Sequence, residues 1–97
     1  MSDKKYAEME HTFVDKFDGN KEVNVKIRFA CPTSSAVARA QTKMMKNPGQ
    51  SFHNLCVGCV HEEDKDAMLA MFDTYPGLPT TFGSALLSSA GFGDLGN

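Results

Sequence analysis

The sequence predicts an α+β fold: an N-terminal β-hairpin packed against about four short α-helices, in a single domain over residues 11–92. Three observations carry this expectation. In Val23 to Phe29 the apolar Val23, Val25, Ile27 and Phe29 alternate strictly with Asn24, Lys26 and Arg28, the period of a strand with one buried face. Just upstream, Asp18-Gly19-Asn20 groups residues that tolerate positive φ, as a hairpin turn requires. After Pro32 the apolar spacing lengthens to three and four residues and is interrupted by Asn47-Pro48-Gly49 and Tyr75-Pro76-Gly77-Leu78-Pro79, the punctuation of successive helices. The 97 residues, 41% of them apolar, suffice for one modest core.

The elements follow in chain order. Residues 1–10 are polar and charged, and are expected to form a flexible, at most loosely paired segment. Strand 12–17 pairs with strand 22–29 across the Asp18-Gly19-Asn20 turn. Two strands are marginal alone in water, so helices must cover their apolar face. A first helix, 34–46, is capped by Thr33 or Ser34 and turns Val37, Ala40 and Met44 inward. Asn47 caps and Pro48 opens a second helix, 49–60, whose Phe52, Leu55, Cys56, Cys59 and Val60 make a core-facing stripe. A third, 63–75, begins at Glu62-Glu63-Asp64, where carboxylates favour the positive helix end, and buries Met68, Met71, Phe72 and Tyr75. A fourth, 79–90, offers Phe82, Ala85, Leu86 and Ala90 and stops at Gly91, with Phe92 behind it. Residues 93–97 read as a short flexible tail. The expected core is Val25, Ile27, Phe29, Leu55, Cys56, Cys59, Phe72 and Leu86.

Charge is uneven along the chain, although the net charge is only −2. Residues 21–46 hold six cations against Glu22, and residues 61–75 hold five carboxylates against Lys65. Such a balance excludes a strongly basic nucleic-acid coat protein and suits head-to-tail self-association or a charged protein partner. No apolar stretch is long enough for a membrane helix, and Met1 to Lys5 lacks the apolar run of a signal peptide, so the expected location is the cytoplasm. Three cysteines, an odd number, agree with a reducing compartment.

Cys56-Val57-Gly58-Cys59 has a spacing that chemistry uses. Haem attachment requires His directly after the second Cys, where Val60 stands. A redox pair requires its first Cys at a helix N-terminus, whereas these two fall inside an apolar helical stripe. Zinc requires four ligands; His53, Cys56, Cys59 and His61 lie close together, with Cys31 elsewhere, but no second ligand pair has finger spacing. The two thiols therefore read as small buried groups. His11, His53 and His61 accompany no nucleophile elbow, H-E-x-x-H or phosphate loop, and Glu62 to Asp66 lacks the spacing of a calcium loop. No catalytic residue, metal or cofactor is expected.

From Phe29 to Phe92 the outline is a strand, Pro32-Thr33, a basic helix, Lys46-Asn47-Pro48 and an apolar helix with Cys56-Val57. It continues through Glu62-Glu63-Asp64, then Met71-Phe72-Asp73-Thr74-Tyr75-Pro76-Gly77-Leu78 and Leu86-Leu87-Ser88-Ser89-Ala90-Gly91-Phe92. This run, about two-thirds of the chain, resembles the small tail assembly chaperone-like proteins of tailed phages and prophages. Tyr75-Pro76-Gly77-Leu78 and Ala90-Gly91-Phe92 are the closest matches, and the C-x-x-C is not part of the pattern. The resemblance implies a non-enzymatic protein that forms homo-oligomers in the host cytoplasm. It also implies binding to the long helical tape measure protein, which is kept soluble until the tail tube forms around it.

Holding an amphipathic helix requires an apolar groove rimmed by charge. The residues expected to meet a partner are Lys26, Arg28, Arg39, Lys43, Met45, Glu62, Glu63, Asp64 and Asp66, with the acidic run pairing with Lys26 and Arg28 of the next copy. Two other readings stand beside this one. A small phage-encoded regulatory module would set Lys26, Arg28, Arg39, Lys43 and Lys46 on nucleic acid, but no recognition-helix motif is present and Phe29 and Phe52 read as core. A metal or redox module would use the C-x-x-C.

Overall fold

Strand β1 (Tyr6–Asp15) and strand β2 (Lys21–Ala30) pair antiparallel along their whole length, from Tyr6 opposite Ala30 to Asp15 opposite Lys21, in a computed structural model that describes residues 5–91. The turn between them uses positive φ at Gly19 (65°) and Asn20 (58°), the two residue types that enter this region most readily. Val23, Val25, Ile27 and Phe29 are buried, while Glu22, Asn24 and Lys26 face solvent.

The first strand differs from its expected bounds at both ends. It begins at Tyr6 rather than 12, so residues 6–10 are paired, and it ends at Asp15, which leaves Phe17 in the turn. The reason is an alternation masked by its polar members. Met9, His11 and Phe13 are half-buried on the core side, and Glu8, Glu10 and Thr12 lie on the solvent side. There Asn24 donates to Glu10 and to Thr12, both at 2.7 Å, tying the two strands together. The expectations for the tail at 93–97 and for Phe92 lie outside the described residues.

Four helices cover the sheet: α1 (Ser34–Met44), α2 (Pro48–Cys59), α3 (Lys65–Thr74) and α4 (Leu78–Ser89). Thr33 accepts a cap bond from the Ala36 N–H at 3.1 Å, and Asn47 accepts one from Gln50 at 3.1 Å ahead of Pro48. The acidic run Glu62–Asp64 forms a single 3₁₀ turn rather than the first turn of α3. Helix α2 packs between α1 and α4 and also touches β2, with α3 against α4. Phe29, Phe82, Met68, Leu86, Leu87 and Cys56 are the most deeply buried apolar side chains, and all eight residues expected in the core lie there. Each large one contributes about 1.5–3 kcal/mol by leaving water. Ser51, the buried polar residue, donates to the Ala40 carbonyl at 2.6 Å and so locks α2 to α1.

Candidate functional site

Arg28 closes one edge of the sheet. Its backbone N–H donates to Asp64 Oδ2 at 3.0 Å, its carbonyl accepts from the His61 N–H at 2.8 Å, and Phe29 and Val60 form an isolated antiparallel bridge beside them. The guanidinium grips the same carboxylate through Nε to Oδ2 (2.9 Å) and Nη2 to Oδ1 (2.8 Å), and reaches Glu63 at 3.4 Å. These bonds from Arg28 hold the Asp64 carboxyl well below the usual carboxylate range and raise the guanidinium in turn. The sequence-based expectation put Arg28, Glu63 and Asp64 on a partner surface. Within one copy they engage one another, because the loop after α2 returns along β2. Asp64 consequently makes no side-chain cap bond to α3.

The other expected partner residues fall into two places. Lys26 lies on the outer sheet face, 3.9 Å from Glu10. Glu62 and Asp66 are exposed beside the Arg28 clasp. Arg39 and Lys43 stand on α1, which contains no acidic residue, and neither they nor Lys46 form an ion pair among the described residues. Met45, just past the end of α1, is 92% exposed. Arg39 and Lys43 line a furrow of about 260 Å³ between α1 and α2, with Ala36, Ala40, Leu55 and Gly58 as its apolar part and Ser51 and Asn54 its polar part. Small residues keep the furrow open, and the two cations flank it.

A second groove was not anticipated. It holds about 590 Å³ between the tip of the hairpin and the corner joining α3 to α4, and Phe13, Val14, Phe17, Tyr75 and Pro76 are among its walls. Its hairpin wall comes from β1 and the turn, with no residue of β2. Phe17 is fully exposed and Val14 is 50% exposed, while Phe13 meets Tyr75 edge-on at 4.9 Å. Burial and the neighbouring Asp15 carboxylate raise the Tyr75 hydroxyl above its ordinary pKa. The available signal was Phe17 itself, a large apolar residue between Lys16 and the Asp18-Gly19-Asn20 turn.

Cys56 and Cys59 are both buried in α2. Burial, with Cys59 beside it, pushes the Cys56 thiol up to about 12, so it does not form a thiolate at neutral pH. His53 Nδ1 is buried without a hydrogen-bond partner among the described residues, its ring 5.9 Å from Phe72. No group of three or more His, Cys, Asp or Glu among the described residues is placed to share a metal ion.

Comparison with known proteins agrees with the fold. The solved structure of uncharacterised protein rbstp2171 from Bacillus stearothermophilus aligns with a TM-score of 0.71 over 88% of this chain and 83% of that one, at 18% identity. No curated protein matches the chain. A family model covers residues 3–97, and the chain belongs to that family, described as Domain of unknown function (DUF6848).

Proposed function

We propose that this protein is a non-enzymatic binding module of phage morphogenesis, working in the host cytoplasm as tail assembly chaperones do. It self-associates and holds a helical segment of the tape measure protein. The observation that carries the reading is the α1–α2 furrow: an apolar channel flanked by Arg39 and Lys43, without an ion pair to either among the described residues, with exposed Met45 close by in sequence. That combination suits an amphipathic helix with an acidic flank, its apolar side resting on Ala36, Ala40 and Leu55. Methionine at the end of such a surface adapts to varied side chains.

The test is co-expression with the tape measure protein, followed by size-exclusion chromatography. Co-elution is expected for the wild type. Arg39→Glu with Lys43→Glu should abolish it, and Met45→Asp should weaken it, each with an unchanged melting temperature because all three side chains are exposed. Both variants retaining the tape measure protein would refute the furrow. A polyanion partner is the competing occupant of the same cations. It would show as retention of DNA that is lost in the Arg39→Glu, Lys43→Glu variant.

A further inference from the structure

The two edges of the hairpin are treated differently. At Arg28 the outer edge of β2 is closed by the returning chain, which takes both its N–H and its carbonyl. Arg28 stands opposite Glu8, so this pair exchanges no bonds across the hairpin. Antiparallel pairs alternate, and Glu10 with Lys26, Thr12 with Asn24 and Val14 with Glu22 behave the same way. The backbone N–H and C=O groups of Glu8, Glu10, Thr12 and Val14 therefore point out of the open edge of β1. That edge has no proline, and Lys5 and Lys16 lie only beyond its two ends. Natural proteins normally blunt such an edge, and β1 is ten residues long.

We propose that the β1 edge pairs with β1 of a second copy, antiparallel about a two-fold axis at Thr12, to make a four-stranded sheet. The proposal rests on the self-association in the reading above and gives that association its surface. Charge selects both the occupant and the register. With Thr12 opposite Thr12, Glu8 of each copy faces Lys16 of the other, and Glu10 faces Val14. Neither Glu8 nor Lys16 forms an ion pair among the described residues of one copy. A slip of two residues toward Glu10 would set Lys16 against Tyr6 and lose both Glu8–Lys16 pairs, and a slip of four would set Glu10 against Glu10, like charges directly opposed. In the selected register Phe13 meets His11 of the second copy, and Met9 of that copy lies opposite Asp15. Those side chains extend the apolar face over the groove at the hairpin tip, whose hairpin wall is β1 and the turn. The symmetric contact closes on itself as a dimer.

The experiment uses the chain alone, with no tape measure segment, in sedimentation velocity and equilibrium at low salt. A dimer is expected. Glu8→Lys or Lys16→Glu alone should weaken it roughly tenfold, since each reversal opposes like charges twice in a symmetric interface, and the two together should restore it. Thr12→Pro removes an N–H that no partner among the described residues of one copy uses, so it should give a monomer with unchanged circular dichroism. In a Cys31→Ser background, Thr12→Cys should oxidise to a covalent dimer, because paired strand positions lie within disulfide reach. A wild-type chain that stays monomeric, a dimer indifferent to Thr12→Pro, or a double swap as weak as its single changes would each overturn the proposal. If Thr12→Pro instead abolishes tape measure capture by a monomer, the edge belongs to that partner and the second-copy assignment fails, while the partner reading survives.

Discussion

Gly83 fixes how closely α4 approaches α2. A Cβ built on it would lie 2.8 Å from Cβ and 2.9 Å from Cγ of Phe52, closer than side chains pack. Gly83→Ala should therefore cost about 1–3 kcal/mol in urea unfolding, and Phe52→Leu should recover part of that loss. An unchanged midpoint would show that α2 and α4 are not in contact there. Asp64 carries a pH dependence whose sign follows from its partner. Because the Arg28 bonds depress its folded-state pKa, the clasp contributes stability above the unfolded carboxyl value, near 4. That contribution is lost as pH falls further, through the folded-state value. Asp64→Asn should lower the melting temperature at pH 7 and flatten its decline below about pH 4. A variant whose melting curve falls with acid as steeply as the wild type would remove Asp64 from that role.

At the scale of elements, local sequence chemistry set the boundaries wherever a cap, turn or breaker was present. Thr33, Asn47 with Pro48, and Pro76 with Gly77 each mark a helix end in the structure, and Gly19 with Asn20 make the turn. Because Gly19 sits at a φ of 65°, Gly19→Ala places a Cβ in the left-handed region and should destabilise by about 1–2 kcal/mol, although nothing lies within 4 Å of the new methyl. A loss of less than a few tenths would mean that the turn relaxes freely. Where the signal was tertiary, the sequence was silent. The start of β1 depends on Met9, His11 and Phe13 meeting the core between charged neighbours, a pattern that composition alone reads as a loose tail. The Arg28–Asp64 clasp joins residues 36 apart, and no local spacing reveals that the chain returns to β2 after α2. Opposite charges in the two segments were legible; that Arg28 of the one pairs with Glu63 and Asp64 of the other within one copy was not. Arg39, Lys43 and Met45 are exposed, and no acidic residue occurs between Cys31 and His61 to pair locally with the two cations.

For the whole molecule, the contacts leave little that could unfold by itself. A two-stranded hairpin has no independent stability, and the buried face of β2 shares one cluster with α2, α3 and α4. Helix α2 is the common member, touching α1, α4 and β2 and holding both buried cysteines. Opening it exposes those thiols and uncovers the sheet in the same event. The chain should therefore unfold in urea as a single transition, with a slope of about 1–3 kcal/mol per molar. In native buffer a thiol reagent should react rapidly with exposed Cys31 alone. Cys56 is protected twice, by its burial and by a pKa pushed up to about 12. Cys56 and Cys59 should become reactive at the same urea concentration at which circular dichroism is lost, because no separate opening of α2 precedes global unfolding. Thiol exposure at clearly lower urea would mean that α1 and α2 detach first. A furrow between two detachable helices could then open for a partner, and docking at Arg39 and Lys43 would be coupled to that motion rather than made on a preformed surface.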